Sequence, residues 1–152
     1  MQTSLSHFIL GLEEEEAVIV GTAESSGDGT SSKLIDGLGL DGRWHSNGCA
    51  RSRWFSFELE VPQKITRVKI VNQRNCQDSN NIRITIGPSK DYDPSEPQCL
   101  PEIPQLKCEG VFNDFWCTGA LHEGKFVKIS RRHGMQMSLC EVKIFTALSS
   151  GN

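Results

Sequence analysis

The chain has 152 residues, a formal net charge of −3 and six cysteines. This length fits one domain that can bury a core of its own. The charge lacks the basic footprint of a nucleic-acid-binding protein, and no segment is long and apolar enough to span a membrane.

The two ends of the chain are predicted to lie outside the folded domain. Residues 1–16 end in a run of four acids, Glu13 to Glu16, and read as a flexible tail. Residues 148–152 read as a second tail, which leaves a domain over 17–147. Residues 8–12 are too short for the apolar core of a secretion signal, so the sequence reads as a mature or trimmed form.

Between the tails, apolar and polar residues alternate with the period of a β-strand. The segments are 55–61, 68–72, 82–86, 126–129 and 142–145. Turn-rich pieces separate them, and no amphipathic helix of normal length appears. The pattern predicts an all-β protein folded as a β-sandwich.

The cysteines indicate an oxidising, and therefore extracellular or secreted, setting. Six cysteines allow fifteen pairings, and their spacing alone does not select one. A cytosolic protein with reduced thiols is the competing interpretation. A zinc site is disfavoured, because the sequence contains no short Cys-x-x-Cys pair.

Three blocks of sequence carry a family resemblance. The first joins Leu34-Ile35-Asp36-Gly37 to Cys49 and the strand 54–59; the second runs from Val68 through Asn72 and Cys76 to Gly87. The third contains Pro97-Gln98-Cys99, the strand 124–129 and Leu139-Cys140-Glu141-Val142. In this order the blocks resemble the F-type lectins, the fucose-binding fucolectin family, over roughly residues 17–145. The resemblance implies a disulfide-stabilised, discoidin-like jelly roll with its binding loops at one end.

The resemblance also implies disulfide pairs. Cys49 and Cys140 match a family bridge, and Cys99 and Cys117 match a second. The family has two adjacent cysteines where this chain has Cys76 and Gln77, so Cys76 is expected to pair with Cys108 instead.

A calcium site is implied at Asp36 and Glu141, which match the positions of the family's structural calcium. Calcium prefers hard oxygen ligands, many of them backbone carbonyls. By position, the carbonyl donors are those of Lys33, Leu38, Gly48 and Cys140. Gly48 lacks the hydroxyl that the family often supplies there, which implies a weaker site. The alternative is that Asp36 caps its own turn and Glu141 is a surface residue.

The expected sugar ligands are all replaced. The family binds fucose with a histidine, an arginine, an aspartate and a second arginine, and the matching positions here hold Arg51, Gln73, Asn75 and Asn80. Arginine and amide side chains still bind sugar hydroxyls, and Trp44 could stack on a sugar face. The alternative is that the loops have lost the site.

The sequence therefore predicts a calcium-stabilised extracellular module that binds glycans or glycoproteins but not free fucose, as a monomer or an oligomer. The runner-up is an adhesion or structural module that binds protein or lipid, with Phe115 and Trp116 as an exposed membrane-contacting spike. The basic patch Arg131, Arg132 and His133 reads as a solvated turn. An enzyme is disfavoured, because no nucleophile elbow, phosphate loop or metalloprotease motif is present.

Overall fold

The computed structural model describes residues 13–40, 48–74, 80–101, 103–108 and 110–148. These residues form strands joined by turns, with short 3-10 helices at Thr30–Ile35 and Arg132–Gly134. In chain order the strands are β1 Glu14–Glu16, β2 Ile19–Glu24, β3 Ala50–Ser52, β4 Trp54–Asn72, β5 Asn80–Gly87, β6 Ile103–Gln105, β7 Phe112–Trp116, β8 Glu123–Arg131 and β9 Met137–Ala147. Within these described ranges, no helix is long and apolar enough to cross a membrane.

The long strand β4 belongs to both sheets of a sandwich. Its first half joins the first sheet, whose strand order is β2-β4-β8-β5-β6. Its second half joins the second sheet, where it lies between β7 and β9, and β1 and β3 also pair with β9. All of these pairings are antiparallel. The register with β8 breaks between Glu58 and Gln63, around Pro62, which cannot donate a ladder hydrogen bond. β4 continues along β8 as far as Lys64 and pairs with β9 from Ile65, so its two ends lie at the same end of the sandwich.

The core lies between the two sheets and is built from the predicted alternating positions. Its fully buried members include Phe55, Phe57, Leu59, Val68, Ile70, Ile84, Val127, Ile129, Leu139 and Ile144. Burying one such side chain contributes roughly 1.5–3 kcal/mol. The all-β sandwich predicted from the sequence is confirmed.

Two positions depart from the predicted alternation. Val61 is 53% exposed, because it lies beside Pro62 at the break in the register between β4 and β8 and not over the core. Val71 is fully buried although its neighbour Ile70 faces the main core. It packs in a second, smaller cluster with the Cys49 and Cys140 side chains, against which Phe112 also packs.

The predicted N-terminal tail is wrong at its inner end. Glu14–Glu16 form strand β1, which pairs with the end of β9. The Glu14 carboxylate accepts a hydrogen bond from the Thr66 hydroxyl at 2.7 Å and forms an ion pair with Arg67. At the other terminus, the Leu148 amide donates to the Glu13 carbonyl at 2.8 Å. These contacts hold residues that were predicted to be loose, whereas 1–12 and 149–152 lie outside the described residues.

The disulfides follow the pairs implied by the resemblance. Cys49 is joined to Cys140 across 91 residues, and Cys99 to Cys117 across 18. Cys108 is also disulfide-bonded. Its predicted partner, Cys76, lies outside the described residues. The competing interpretation with reduced thiols is wrong for the five described cysteines.

A buried lysine holds the loop after β5 onto the first sheet. The Lys128 side chain is fully buried, and its ammonium donates to the carbonyls of Ser89 at 2.8 Å and Asp91 at 2.6 Å. It also forms an ion pair with Glu96. A Cβ at Gly87 would lie 1.7 Å from Glu96 Oε2, so only glycine leaves room for this carboxylate.

Candidate functional site

Three of the predicted sugar ligands lie at one end of the sandwich, here called the loop end. It is formed by β3, both ends of β4, the start of β5, the end of β8 and the start of β9. Arg51 lies opposite Ser138, and Gln73 follows Asn72, which lies opposite Leu139. Arg51 and Asn80 are exposed and Gln73 is half-buried. The other two predicted ligands, Asn75 and Trp44, lie outside the described residues.

Arg131 is a loop-end residue that the sequence interpretation placed wrongly. It is only 9% exposed and not part of a solvated turn. Its Nε donates to the backbone carbonyl and Oδ1 of Asn80 at 3.1 and 3.2 Å, and its Nη1 donates to the Gln136 carbonyl at 2.9 Å. Arg132 and His133 are exposed, as predicted. Arg131 continues the inward-facing series of β8 after Val127 and Ile129, which is the signal that would have identified it.

The Arg131 contacts fix the orientation of a predicted ligand. Arg131 Nη2 also donates to Asn80 Oδ1, so the side-chain carbonyl of Asn80 is held by a guanidinium. These bonds leave the Nδ2 amide of Asn80 as a hydrogen-bond donor for another group.

A pocket of about 190 Å³ opens beside Asn80. Its walls are the first half of β5, four residues of the chain that follows (Gln98, Pro101, Ile103 and Gln105), and Arg132 from the turn after β8. That chain is anchored to the edge of β5 by hydrogen bonds from Ile86 N to Pro97 O and from Cys99 N to Ile84 O, both 2.9 Å long. The Cys99–Cys117 disulfide anchors it further. The pocket includes Asn80 but neither Arg51 nor Gln73, so the predicted ligands share an end of the fold without sharing this one cavity.

The candidate metal ligand Glu141 is buried, not a surface residue. Its Oε2 accepts a hydrogen bond from the Gly37 amide at 3.2 Å. Its Oε1 is buried and has no hydrogen-bond partner among the described residues. Burial raises the pKa of Glu141 to about 7; the negative charge of Asp36 acts in the same direction, and the Gly37 and Gly39 amides oppose it. An unsatisfied buried oxygen of this kind suits a cation.

Backbone carbonyls also meet at this place. A Cβ on Gly39 would lie 1.8 Å from the Cys140 oxygen and 2.2 Å from the Gly48 oxygen, so both carbonyls lie against the loop that follows Asp36. Lys33 and Leu38 flank Asp36 in that part of the chain. Among the described residues, no three His, Cys, Asp or Glu side chains form a metal-binding group. A metal here would therefore need the carbonyls as well as Glu141, an all-oxygen set that fits calcium.

Asp36 itself makes the contact foreseen by the alternative interpretation. Its side chain is exposed, and Oδ1 accepts a hydrogen bond from the Leu38 amide at 2.8 Å, which closes a local turn. The residues present fit a calcium ion through Glu141 and the carbonyls, and the role of Asp36 as a ligand stays a prediction.

Phe115 and Trp116 do not form the exposed spike that the runner-up interpretation requires. Phe115 is half-buried and packs against the main core. Trp116 is half-buried on the outer face of the second sheet, where the Arg67 guanidinium lies 4.5 Å from its ring centroid. The same guanidinium lies 4.2 Å from the Phe145 ring, so these aromatic groups are engaged within the protein.

The comparisons with known proteins match this fold. No protein-family model and no curated protein sequence matches the chain. Among solved structures, the fucolectin from striped bass (Morone saxatilis) serum has a TM-score of 0.65 and 22% identity, covering 91% of this chain and 46% of that chain. A fucose binding module of Streptococcus pneumoniae, SpX-3, has a TM-score of 0.58 and 21% identity, covering 89% and 93%.

A third match is truncated AlyQ, which has CBM32 and alginate lyase domains, with a TM-score of 0.67 and 17% identity, covering 91% of this chain and 35% of that chain. This chain thus spans less than half the length of the fucolectin and AlyQ chains. At these identities the likeness concerns the fold. The chain has the jelly-roll fold of F-type lectin and CBM32 domains, as its sequence predicts, and it carries disulfides of its own.

Proposed function

We propose that this chain is an extracellular glycan-recognition module, stabilised by calcium, which binds glycans through the loop end. The observation that carries the proposal is the set of polar side chains at that end. By the sequence resemblance, Arg51, Gln73 and Asn80 match the family's sugar ligands, and Asn80 is oriented by Arg131. Arginine and amide groups are suitable partners for sugar hydroxyls.

The competing function is a structural or adhesion module that binds protein or lipid. It depended on Phe115 and Trp116 as an exposed apolar spike. Since both side chains are half-buried and engaged with the core or with Arg67, no observation now favours it. A catalytic role is not proposed, because the structural neighbours reported above match through their binding modules.

The proposed specificity excludes free L-fucose. By the resemblance, Gln73 and Asn80 stand where the family has arginines, so two charge-assisted hydrogen bonds to the ring are lost. Each lost bond weakens binding by roughly 1.5–3 kcal/mol, and two together by about a hundredfold or more. Binding is expected to need a ligand with contacts beyond one ring.

The test is a glycan array with calcium and with a chelator, followed by calorimetry on the strongest ligand and on free fucose. Arg51→Ala should weaken binding at least about tenfold. Arg53→Ala is the matched control, because Arg53 is equally exposed on the neighbouring turn. Binding of no glycan would contradict the proposal, and tight binding of free fucose would contradict the specificity argument.

A further inference from the structure

The pocket beside Asn80 has an unusual charge pattern. It is lined by two arginines and four amides: Arg83, Arg132, Asn80, Asn81, Gln98 and Gln105. The remaining described lining residues, Ile82, Pro101 and Ile103, are apolar, so no carboxylate occurs among the described residues of the lining. The described lining therefore carries two positive charges, in a protein whose formal net charge is −3.

The two pocket arginines differ from Arg67 and Lys128, whose charges are neutralised by carboxylates. Arg67 has ion pairs with Glu14 and Asp114, and Lys128 has one with Glu96. Within the described part of the chain, the structure shows no ion pair and no side-chain hydrogen bond for Arg83 or Arg132. A concave site with two such guanidinium groups attracts anions, because its walls concentrate the field and each planar fork can make two parallel bonds to a carboxylate or sulfate.

The walls that carry these groups are held in place before any ligand binds. Arg83 lies on β5, opposite Ser130 of β8. Gln105 lies on β6, opposite Asn80 of β5. Gln98 forms a bridge with Thr85. A preorganised site loses less conformational entropy on binding, which favours a specific ligand over a diffuse counter-ion cloud.

We propose that this pocket binds an acidic sugar, a single pyranose residue that carries a carboxylate or sulfate group. Arg83 and Arg132 would bind the anionic group, and the amides of Asn81, Gln98 and Gln105 would bind the ring hydroxyls. The volume of about 190 Å³ lies below the roughly 300–1,000 Å³ of pockets for drug-sized ligands, and this size suits a single sugar residue. This inference rests on the proposed glycan-binding function and adds to it the class of sugar.

The experiment uses pairs of oligosaccharides in which the terminal sugar is charged or neutral. The probes are a trisaccharide ending in glucuronic acid with its neutral methyl ester, and a trisaccharide ending in a sulfated galactose with its unsulfated form. Calorimetry on the whole chain should show at least about tenfold tighter binding of one or both acidic probes than of the corresponding neutral form. That preference should shrink as the salt concentration rises. The two acidic probes distinguish a carboxylate ligand from a sulfate ligand.

The variants locate the effect in the pocket. Arg132→Ala and Arg83→Gln should each reduce the preference for the acidic probe about tenfold, and Arg53→Ala should leave it unchanged. Arg132 is exposed in a turn, so its replacement keeps the test valid if Arg83→Gln fails to fold. Equal binding of charged and neutral probes would overturn this inference and leave glycan binding intact. A preference that survives Arg132→Ala and Arg83→Gln would also overturn it, and failure to bind any glycan would overturn both proposals.

Discussion

The buried carboxylate of Glu24 fixes the segment of chain that leads to Asp36, a candidate calcium ligand. Glu24 is the last residue of β2, and its two oxygens accept hydrogen bonds from the backbone amides of Ser31 at 2.8 Å and Gly29 at 3.2 Å. Burial alone would raise its pKa, but the hydrogen bonds from Ser31 and Gly29 outweigh burial and lower it. Glu24 thereby fixes the start of the 3-10 helix Thr30–Ile35, which leads directly to Asp36.

Replacing this carboxylate should destabilise the protein in a pH-dependent way. Glu24→Gln loses charge-assisted hydrogen bonds and should lower the free energy of unfolding by about 1–3 kcal/mol at neutral pH. The folded-state pKa is lowered from 4.5, so the stabilisation is present above that value and disappears as the pH falls through the folded-state pKa. Urea unfolding of Glu24→Gln at pH 7 and at pH 3 measures both effects. The exposed Glu60→Gln is the control, and a loss of stability that is equal at both pH values would contradict the argument.

Burial could be predicted for side chains whose position follows from the alternation of one strand. It could not be predicted for side chains that are buried by partners distant in sequence. The alternation around Phe57 and Ile84 is a property of a single strand, and both side chains are buried as predicted. Arg131 and Glu141 look like surface residues by type. Their burial depends on Asn80 in one case and on the Gly37 loop in the other, and both partners are distant in sequence.

At the scale of elements, a buried cation holds the first part of the loop between β5 and β6 against the sheet. Lys128 projects from β8 and binds two loop carbonyls and the Glu96 carboxylate. Turn composition predicts a loop over this stretch, but nothing local predicts that it folds back over a lysine. The same limitation applies to β1, because the acidic run Glu13 to Glu16 suggests a solvated tail, whereas Arg67 and Thr66 supply partners for Glu14 in the folded chain.

Removing the buried ammonium should cost far more than removing a surface one. Lys128→Met leaves a carboxylate that is only 9% exposed without its partner, and should reduce the free energy of unfolding by roughly 3–5 kcal/mol. Lys125→Met is the control on the same strand, because its ion pair with Glu58 is 39% and 35% exposed and is worth about 0–1 kcal/mol. Urea unfolding compares the two variants.

A double variant separates charge from packing at this site. Adding Glu96→Gln to Lys128→Met removes the unpaired charge, so part of the lost stability should return. If Lys128→Met costs no more than Lys125→Met, or if the second change makes unfolding easier still, the loop is not held by this ion pair.

At the scale of the whole molecule, one disulfide connects the candidate calcium region to the loop end. Cys49 precedes β3, which carries Arg51, and Cys140 precedes Glu141. The jelly roll was predictable because its strands and cysteines lie in a recognisable order. The two sheets share β4, however, and the change of that strand from β8 to β9 after Lys64 is visible only in the folded chain. The loop end is therefore predictable as a place, whereas the cationic pocket within it depends on β6 and the Arg132 turn meeting at the edge of β5.

The calcium proposal predicts a change in the stability of the whole domain. An ion that binds only the native state at a hundred times its Kd adds about 2.7 kcal/mol, which for a domain of this size raises the Tm by roughly 5–10 °C. Calorimetry with calcium and with a chelator should show this difference for the unaltered chain. Glu141→Gln should lose most of the response, because the amide replaces the buried carboxylate that would bind the ion. Glu123→Gln, an exposed position on β8, should keep the response. Identical melting curves for the unaltered chain with calcium and with chelator would mean that Glu141 and the Gly48 and Cys140 carbonyls form a buried polar junction and not a metal site.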